Sequence, residues 1–346
     1  MSPNHRVNDA ICVVGKPLLI TAKLSYGPVA MVNLTGEMVL IYIKRYPNIP
    51  EWKLVGSCET DSNGRLVFTT PTTGMEAGIY QVRVVVQGDK SSADCNVAIV
   101  PTQTEAVVFS VDSSFLESIS ISGINPKIRA CAVDTVRHWQ ELGYFIIYVS
   151  SRLLYQKYQV TAWLSEHNFP LGIVTFCDTV SANFQKHKMT FLKHITEMEE
   201  VVVHVAYGSQ RDIPVYLNAL KLPAQRVFLL GKKIKDKKLE SSQWITTGYA
   251  SHLKGLKTNP LSKRSNNSSV MFSLGDFVLS SKRPSKKKKN LPVIHDEGDE
   301  DVFPYHSETP LESFTKSKVT KAASEDGSNQ SSKRFTLKKT RSNNVP

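Results

Sequence analysis

No apolar run in the 346-residue sequence approaches the roughly 18 residues that a membrane-spanning helix requires. The opening MSPNHRVNDA has no basic stretch followed by an apolar core, so it does not read as a secretory signal. Cysteine is sparse. Cys12, Cys58, Cys95, Cys131 and Cys177 are odd in number, widely scattered and never spaced C-x-x-C, which argues against both a disulfide framework and a zinc site. Asn33-Leu34-Thr35 fits a glycosylation acceptor, but without a signal the match is read as coincidental. His138, His167, His194, His204 and His252 show no ligand spacing with cysteines or carboxylates and are read as structural. These absences leave a soluble, cytoplasmic protein or one that sits peripherally on a membrane.

Charge is present but uneven. Lys and Arg total 43 against 31 Asp and Glu, a net of +12. Residues 255–346 contribute +7 of it and the preceding 254 residues only +5. Basicity is therefore mostly a property of the tail, and a uniformly basic nucleic-acid-binding globule is not supported.

At about 150 residues per domain the length suggests two domains and a remainder. Residues 1–100 read as all-β. PLLITAKL, MVLIYIKR, RLVFTT, IYQVRVVVQ and CNVAIV are short β-branched runs separated by turn formers such as Asp61-Ser62-Asn63-Gly64. About seven strands at that spacing predict an immunoglobulin-like sandwich, although no Cys–Trp–Cys pattern accompanies them. Its expected role is packing and positioning. From residue 101 to about 256 the pattern becomes apolar strands alternating with amphipathic helices. AVVFSV is a buried strand, residues 126–142 a helix opening at Pro126 and ending at Gly143, and YFIIYV, GIVTFC, VVVHVAY and RVFLL are further strands. Helices are expected through Trp163 and Leu164, around Phe191 and Ile195, and from Asp212 to Leu220. The alternation predicts an α/β, Rossmann-like parallel sheet covered on both faces, with ligands at the carboxyl ends of its strands. Residues 257–346 turn to Ser, Asn and Lys and read as a disordered basic tail. It holds an apolar island at Val270–Leu279 and the run Lys286, Lys287, Lys288 and Lys289.

Polar residues mark four strand ends in order. They are Ser110-Val111-Asp112-Ser113-Ser114, then Ser150-Ser151-Arg152, then Lys186-His187-Lys188 in the helix after the third strand, then Gly208-Ser209-Gln210-Arg211-Asp212. These positions resemble the four motifs of haloacid-dehalogenase-type phosphatases. AVVFSVDSSF, VRHWQELGYFIIYVSSR, WLSEHNFPLGIVTFCD and AYGSQRDIPVY are more closely similar to the lipin-related C-terminal domain of membrane-associated phosphatidylinositol transfer proteins, the retinal degeneration B or Nir family. HRVND, LTGE, NGRL and GIYQVRVVVQGD resemble the β region before that domain. The resemblance covers roughly residues 4–256. The family's lipid-transfer and DDHD domains have no counterpart here, so the chain looks like a C-terminal portion, a truncated paralogue or a short product.

The family chemistry implies an Asp nucleophile that also binds Mg²⁺, an acid/base Asp two residues later and a late carboxylate. Ser110 stands at the nucleophile position and Ser209 where a carboxylate usually follows Gly. A neutral hydroxyl is a poor substitute for either, and the expectation is a phosphatase-like pseudoenzyme that requires no cofactor. Asp112 and Asp212 remain as a vestigial Mg²⁺ site. Asp112 reads also, and more readily once its partner carboxylate is missing, as a structural acceptor for nearby N–H groups. The anion-holding groups are retained, namely Ser150, Arg152 and Lys188 (or Lys186), with Ser113 and Ser114 beside them. Together with the resemblance they imply recognition of an anionic phospholipid, phosphatidic acid, at membrane surfaces between endoplasmic reticulum and plasma membrane, in phosphoinositide signalling or lipid transport. The segment 113–123 is expected to form a flap whose Phe115, Leu116, Ile119 and Ile121 either pack as core or insert among acyl chains. The lysine run in the tail fits an anionic leaflet, a nuclear localisation patch or a solvated tail; no specific nucleic acid is expected. Two other readings stay open. The resemblance also implies a scaffold for a proline-rich, focal-adhesion-type tyrosine kinase, and Asp112 with Asp212 leaves room for residual Mg²⁺-dependent phosphatase activity.

Overall fold

The computed structural model describes residues 2–27, 32–45, 51–117, 127–177, 184–231, 242–259 and 261. The tail with its apolar island and Lys286–Lys289 lies outside them, as do Ile119 and Ile121.

The first hundred residues form ten strands among the described residues: β1 (Arg6–Val7), β2 (Ala10–Val13), β3 (Leu18–Lys23), β4 (Ser25–Tyr26), β5 (Val32–Asn33), β6 (Met38–Arg45), β7 (Lys53–Glu59), β8 (Arg65–Thr70), β9 (Gly78–Val86) and β10 (Ser92–Val100). One sheet runs β1-β3-β8, the other β2-β10-β9-β6-β7, and β4 pairs with β5. The alternation in β3 and β6 puts Leu18, Ile20 and Ala22 opposite Val39, Ile41 and Ile43 in one core. β2 pairs with β10 in parallel, the other partners in these two sheets being antiparallel.

The second part is a six-stranded parallel sheet: β11 (Glu105–Ser110), β12 (Phe145–Leu153), β13 (Ile173–Cys177), β14 (Val202–Gly208), β15 (Val227–Leu230) and β16 (Gln243–Ile245). Its order is β13-β12-β11-β14-β15-β16, so the chain steps outward on one side of β11 and then returns to step outward on the other. Among the described residues five α-helices accompany it: α1 (Val111–Ser114), α2 (Ala132–Glu141), α3 (Lys157–Glu166), α4 (Phe184–Glu197) and α5 (Tyr249–Thr258). α2, α3 and α5 share a core with alternate residues of the sheet such as Phe109 and Tyr207, and α4 packs on the opposite set with Val108 and Ala206. Burial on both faces is why these strands read as continuous apolar runs.

Helix α2 starts six residues later than the helix expected from Pro126. Ile128 pairs with Leu116 in an antiparallel bridge, and Cys131 adopts φ +59°, a left-handed conformation that no α-helix continues through. Gly143, at φ +86°, ends the helix as expected. The helix expected over Asp212–Leu220 is instead a short 3₁₀ turn, Gln210–Asp212, followed by a wide π turn, Pro214–Ala219. β16 and α5 had no counterpart in the sequence reading. A relay of hydrogen bonds secures α5: Trp139 Nε1 donates to the Tyr207 hydroxyl at 2.9 Å, and that hydroxyl meets His252 Nε2 at 2.8 Å. Since the indole can only donate, the tyrosine proton is directed to His252.

Sandwich and sheet share one core. Ile11, Val13, Ile79, Ala98 and Val100 pack with Phe145, Ile147 and Ile173. Polar pairs reinforce the junction. Val13 N donates to Glu199 at 2.9 Å, and Lys16 pairs with Glu200 at 3.1 Å. Asn8 exchanges two 3.0 Å hydrogen bonds with the main chain of Phe176, and Asp9 meets Lys157.

Candidate functional site

β11 is the strand at which the order of the sheet reverses, so its carboxyl end opens a crevice between its neighbours. The single turn α1 follows directly and carries Asp112 and Ser113 back across that end. β12 runs on through Ser150, Ser151 and Arg152. Lys188, Leu192 and Ile195 recur on the buried stripe of α4, so an ammonium takes a place that the helical period reserves for an apolar side chain. After β14, Gly208 leads into the 3₁₀ turn that carries Asp212. A Cβ on Gly208 would lie 2.7 Å from Asp212 Oδ2, so the close approach of that carboxylate requires glycine here.

Two hydrogen-bonded groups result. The deeper one centres on Lys188, whose Nζ donates to Ser110 Oγ at 2.7 Å and to Asp212 Oδ1 at 2.8 Å. The side chains of Lys188 and Asp212 are 1% and 2% exposed. Asp212 Oδ2 also lies 2.9 Å from Ser113 Oγ and accepts from Ser209 N at 2.8 Å. Ser113 Oγ lies 2.8 Å from Ser110 Oγ as well, and its single proton serves one acceptor at a time. Burial pushes the Asp212 carboxyl up, but the Lys188 charge and the converging donors overcome it and hold the group below its usual range.

The shallower group centres on Asp112. Its Oδ2 accepts from Ser151 N at 2.7 Å and from Ser150 Oγ at 3.1 Å, and its Oδ1 accepts from Arg152 Nε at 2.8 Å. Ser150 Oγ in turn accepts from Arg152 N at 3.1 Å. Arg152 and Asp112 keep 18% and 16% of their side chains exposed. Among the described residues the two terminal guanidinium nitrogens of Arg152 make no hydrogen bond.

Ser110, Asp112, Ser113, Ser150, Arg152, Lys188 and Asp212 thus meet in one place. Ser114 does not join them; it is fully buried on the α5 side beside the Tyr249 hydroxyl. Lys186 is exposed and, two residues before Lys188 on α4, lies on the opposite side of the helix from the site. Phe115 and Leu116 are buried core residues, so the acyl-insertion alternative does not apply to them. The main-chain N–H of Ser151 after β12 is one of the strand-end amides expected to face the site. One feature went unread in the sequence: Arg211, exposed beside Asp212, whose guanidinium makes no hydrogen bond among the described residues. Its place within the fourth strand-end segment was the available signal.

The carboxylates do not fit a Mg²⁺ centre. That ion wants near-octahedral oxygen ligands, whereas Asp112 and Asp212 each already serve a cation and a main-chain N–H. Among the described residues no group of three or more His, Cys, Asp or Glu side chains is placed to hold a metal ion.

A parallel sheet whose strand-end segments close over one buried lysine is a haloacid-dehalogenase-like fold, here joined to a β-sandwich. Residues 107–231 match the LNS2 domain of the PITM 1-3 proteins, and residues 3–99 match their β-sandwich domain. The chain belongs to the family of membrane-associated phosphatidylinositol transfer proteins. It is 41% identical over 293 residues to membrane-associated phosphatidylinositol transfer protein 2 of Mus musculus, a match covering 84% of this chain and 22% of that protein. It is 42% identical over 259 residues to protein retinal degeneration B of Drosophila melanogaster, covering 74% and 20%. With membrane-associated phosphatidylinositol transfer protein 3 of Homo sapiens the figures are 38% over 292 residues, 84% and 30%. The chain therefore spans less than a third of the length of these relatives.

Proposed function

We propose that the chain is a non-catalytic module that binds anionic phospholipid, with phosphatidic acid as its ligand, at the carboxyl ends of β11, β12 and β14. The observation that carries the reading is the 2.7 Å hydrogen bond from Lys188 to Ser110. A serine hydroxyl attacks phosphorus only with a base to take its proton. The neighbour here is an ammonium that is paired with a buried carboxylate; it has no lone pair to offer. The crowded donor set on Asp112 and Asp212, unsuited to Mg²⁺, supports the same conclusion.

Arg152, the Ser151 N–H and Ser150 form the reachable part of the headgroup site, and Lys188 acts from beneath as a fixed charge. Arg211 adds a second solvent-facing cation. The sandwich, immunoglobulin-like in the parallel pairing of β2 with β10, positions this end of the sheet. The relatives' names call them membrane-associated, and no helix among the described residues is long and apolar enough to cross a membrane. The reading is peripheral attachment through headgroup recognition, at contact sites of endoplasmic reticulum and plasma membrane.

Flotation on vesicles containing phosphatidic acid or phosphatidylserine, matched for surface charge, tests this. Preferential flotation with phosphatidic acid is expected, with a loss of roughly tenfold for Arg152→Ala. Undiminished selective binding by that variant overturns the assignment of the site. Equal flotation on both lipids overturns the lipid reading, and a scaffold for a proline-rich tyrosine kinase then leads.

A further inference from the structure

The donors that a phosphate would use are the donors that Asp112 already occupies. Its carboxylate receives the Arg152 Nε, the Ser151 main-chain N–H and the Ser150 hydroxyl. This is the pattern of an oxyanion held by a guanidinium and a strand-end amide, with the anion supplied by the chain itself. It also differs from the deeper pair. Lys188 and Asp212 are sealed from water, whereas Asp112 and Arg152 each keep about a sixth of their side chains exposed. The outer pair can therefore open without breaking the core beneath it.

Resting on the lipid-binding reading above, we infer that Asp112 is an internal stand-in for phosphate that sets which headgroups enter. A ligand must displace a carboxylate that is tethered beside the donors and so loses little freedom by returning. A phosphodiester brings one negative charge, the same as the carboxylate, and gains nothing in exchange for its own immobilisation. A phosphomonoester carries nearly two charges near pH 7 and presents three terminal oxygens. Two of these replace the oxygens of Asp112, and the third meets the unused guanidinium nitrogens of Arg152. The expelled carboxylate turns to the solvent it already touches. Selectivity thus comes from a competitor built into the site as much as from the donors. Ligands of this chemistry are the headgroup of a lipid phosphomonoester or a free phosphomonoester such as glycerol 3-phosphate.

The Asp112→Asn variant of the full chain tests the idea, with flotation on charge-matched phosphatidic acid and phosphatidylserine vesicles. The amide keeps the size of the side chain and removes its charge. The variant is expected to gain binding to phosphatidylserine, so that the preference of the wild-type chain for phosphatidic acid falls by about fivefold or more. Thermal melting of the variant confirms that it remains folded. Asp112→Asn that keeps the wild-type preference overturns the inference while leaving the lipid reading intact. So does a normally melting variant that loses both lipids, because Asp112 would then position Arg152 and not compete for it. Flotation of neither protein on either vesicle defeats the lipid reading and the inference together. A second measurement needs no variant. Excess glycerol 3-phosphate is expected to release the wild-type chain from phosphatidic acid vesicles, and equal release by a glycerophosphodiester overturns the inference.

Discussion

Asp9 of the sandwich and Lys157 at the start of α3 form a 2.7 Å ion pair in which the Asp9 side chain is 1% exposed. The carboxylate also accepts from the main-chain nitrogens of Asn96 at 3.0 Å and Val174 at 3.1 Å. One side chain thus ties together a strand of the sandwich, a strand of the parallel sheet and the helix that follows β12. Arg152 lies five residues before Lys157, so the turn after β12 is held at one end by Asp112 and at the other by Asp9.

Removing this tie is expected to be costly. Asp9→Ala leaves the Lys157 ammonium with only the carbonyls of Val7 and Asp94 and strands two main-chain donors, and it lowers stability by about 3 kcal/mol. Urea unfolding at pH 7 reads the loss.

Lys188→Ala leaves Asp212 as an uncompensated buried charge and is expected to lower stability by roughly 3–5 kcal/mol. Adding Asp212→Asn recovers part of that loss, because the second change removes the stranded charge. A double variant no more stable than Lys188→Ala contradicts the pairing. Asp212 also makes an acid-side prediction. Its carboxyl is held below the usual range, so its contribution is present above the unfolded value near ~3.9 and is lost only as pH falls through the folded value.

His252 predicts a second pH window. Burial, helped by the nearby His138 charge, pushes it from 6.5 down to about 4. The unfolded chain therefore takes up this proton first, and stability falls as pH drops from about 6.5 to about 4. The loss is on the order of 3 kcal/mol and accompanies release of α5, since an imidazolium cannot accept the Tyr207 proton. His252→Gln is expected to flatten the thermal-melting profile over that range.

Gly208→Ala is expected to act on the site without replacing a charged residue. The new methyl meets Asp212 and Tyr216 at 2.7–2.9 Å and pushes the carboxylate off Lys188. A stability loss of about 2 kcal/mol, with a matching fall in flotation on phosphatidic acid vesicles, is the expected outcome.

Where side-chain period governs structure, the sequence was legible. The alternation in β3 and β6 and the apolar runs of β11 to β15 mark their strands directly. β7 escaped notice because Gly56 interrupts it and none of its residues is buried, most being exposed, which leaves no contrast between faces. β2 is only four residues long and takes its place by pairing with β10, Ala10 opposite Val97 to Val13 opposite Val100, far away along the chain. The onset of α2 was misplaced because Ile128 and Cys131 do face the core, as the helical spacing implied, but from a bridge and a left-handed turn. The residue types of the site were legible from their order at the strand ends. Their partners were not. Nothing in the spacing says that Lys188 answers Asp212 and Arg152 answers Asp112, because those pairings depend on how α1 and the 3₁₀ turn aim their carboxylates.

The side chain of Asn8 imitates a neighbouring strand, giving and receiving one hydrogen bond with Phe176, and Asp9 takes the Val174 N–H beside it. β13 is the outermost strand on its side of the sheet, so these two residues occupy the groups through which another polypeptide would zip on. A sheet edge whose groups are already taken is guarded against edge-to-edge pairing with another chain.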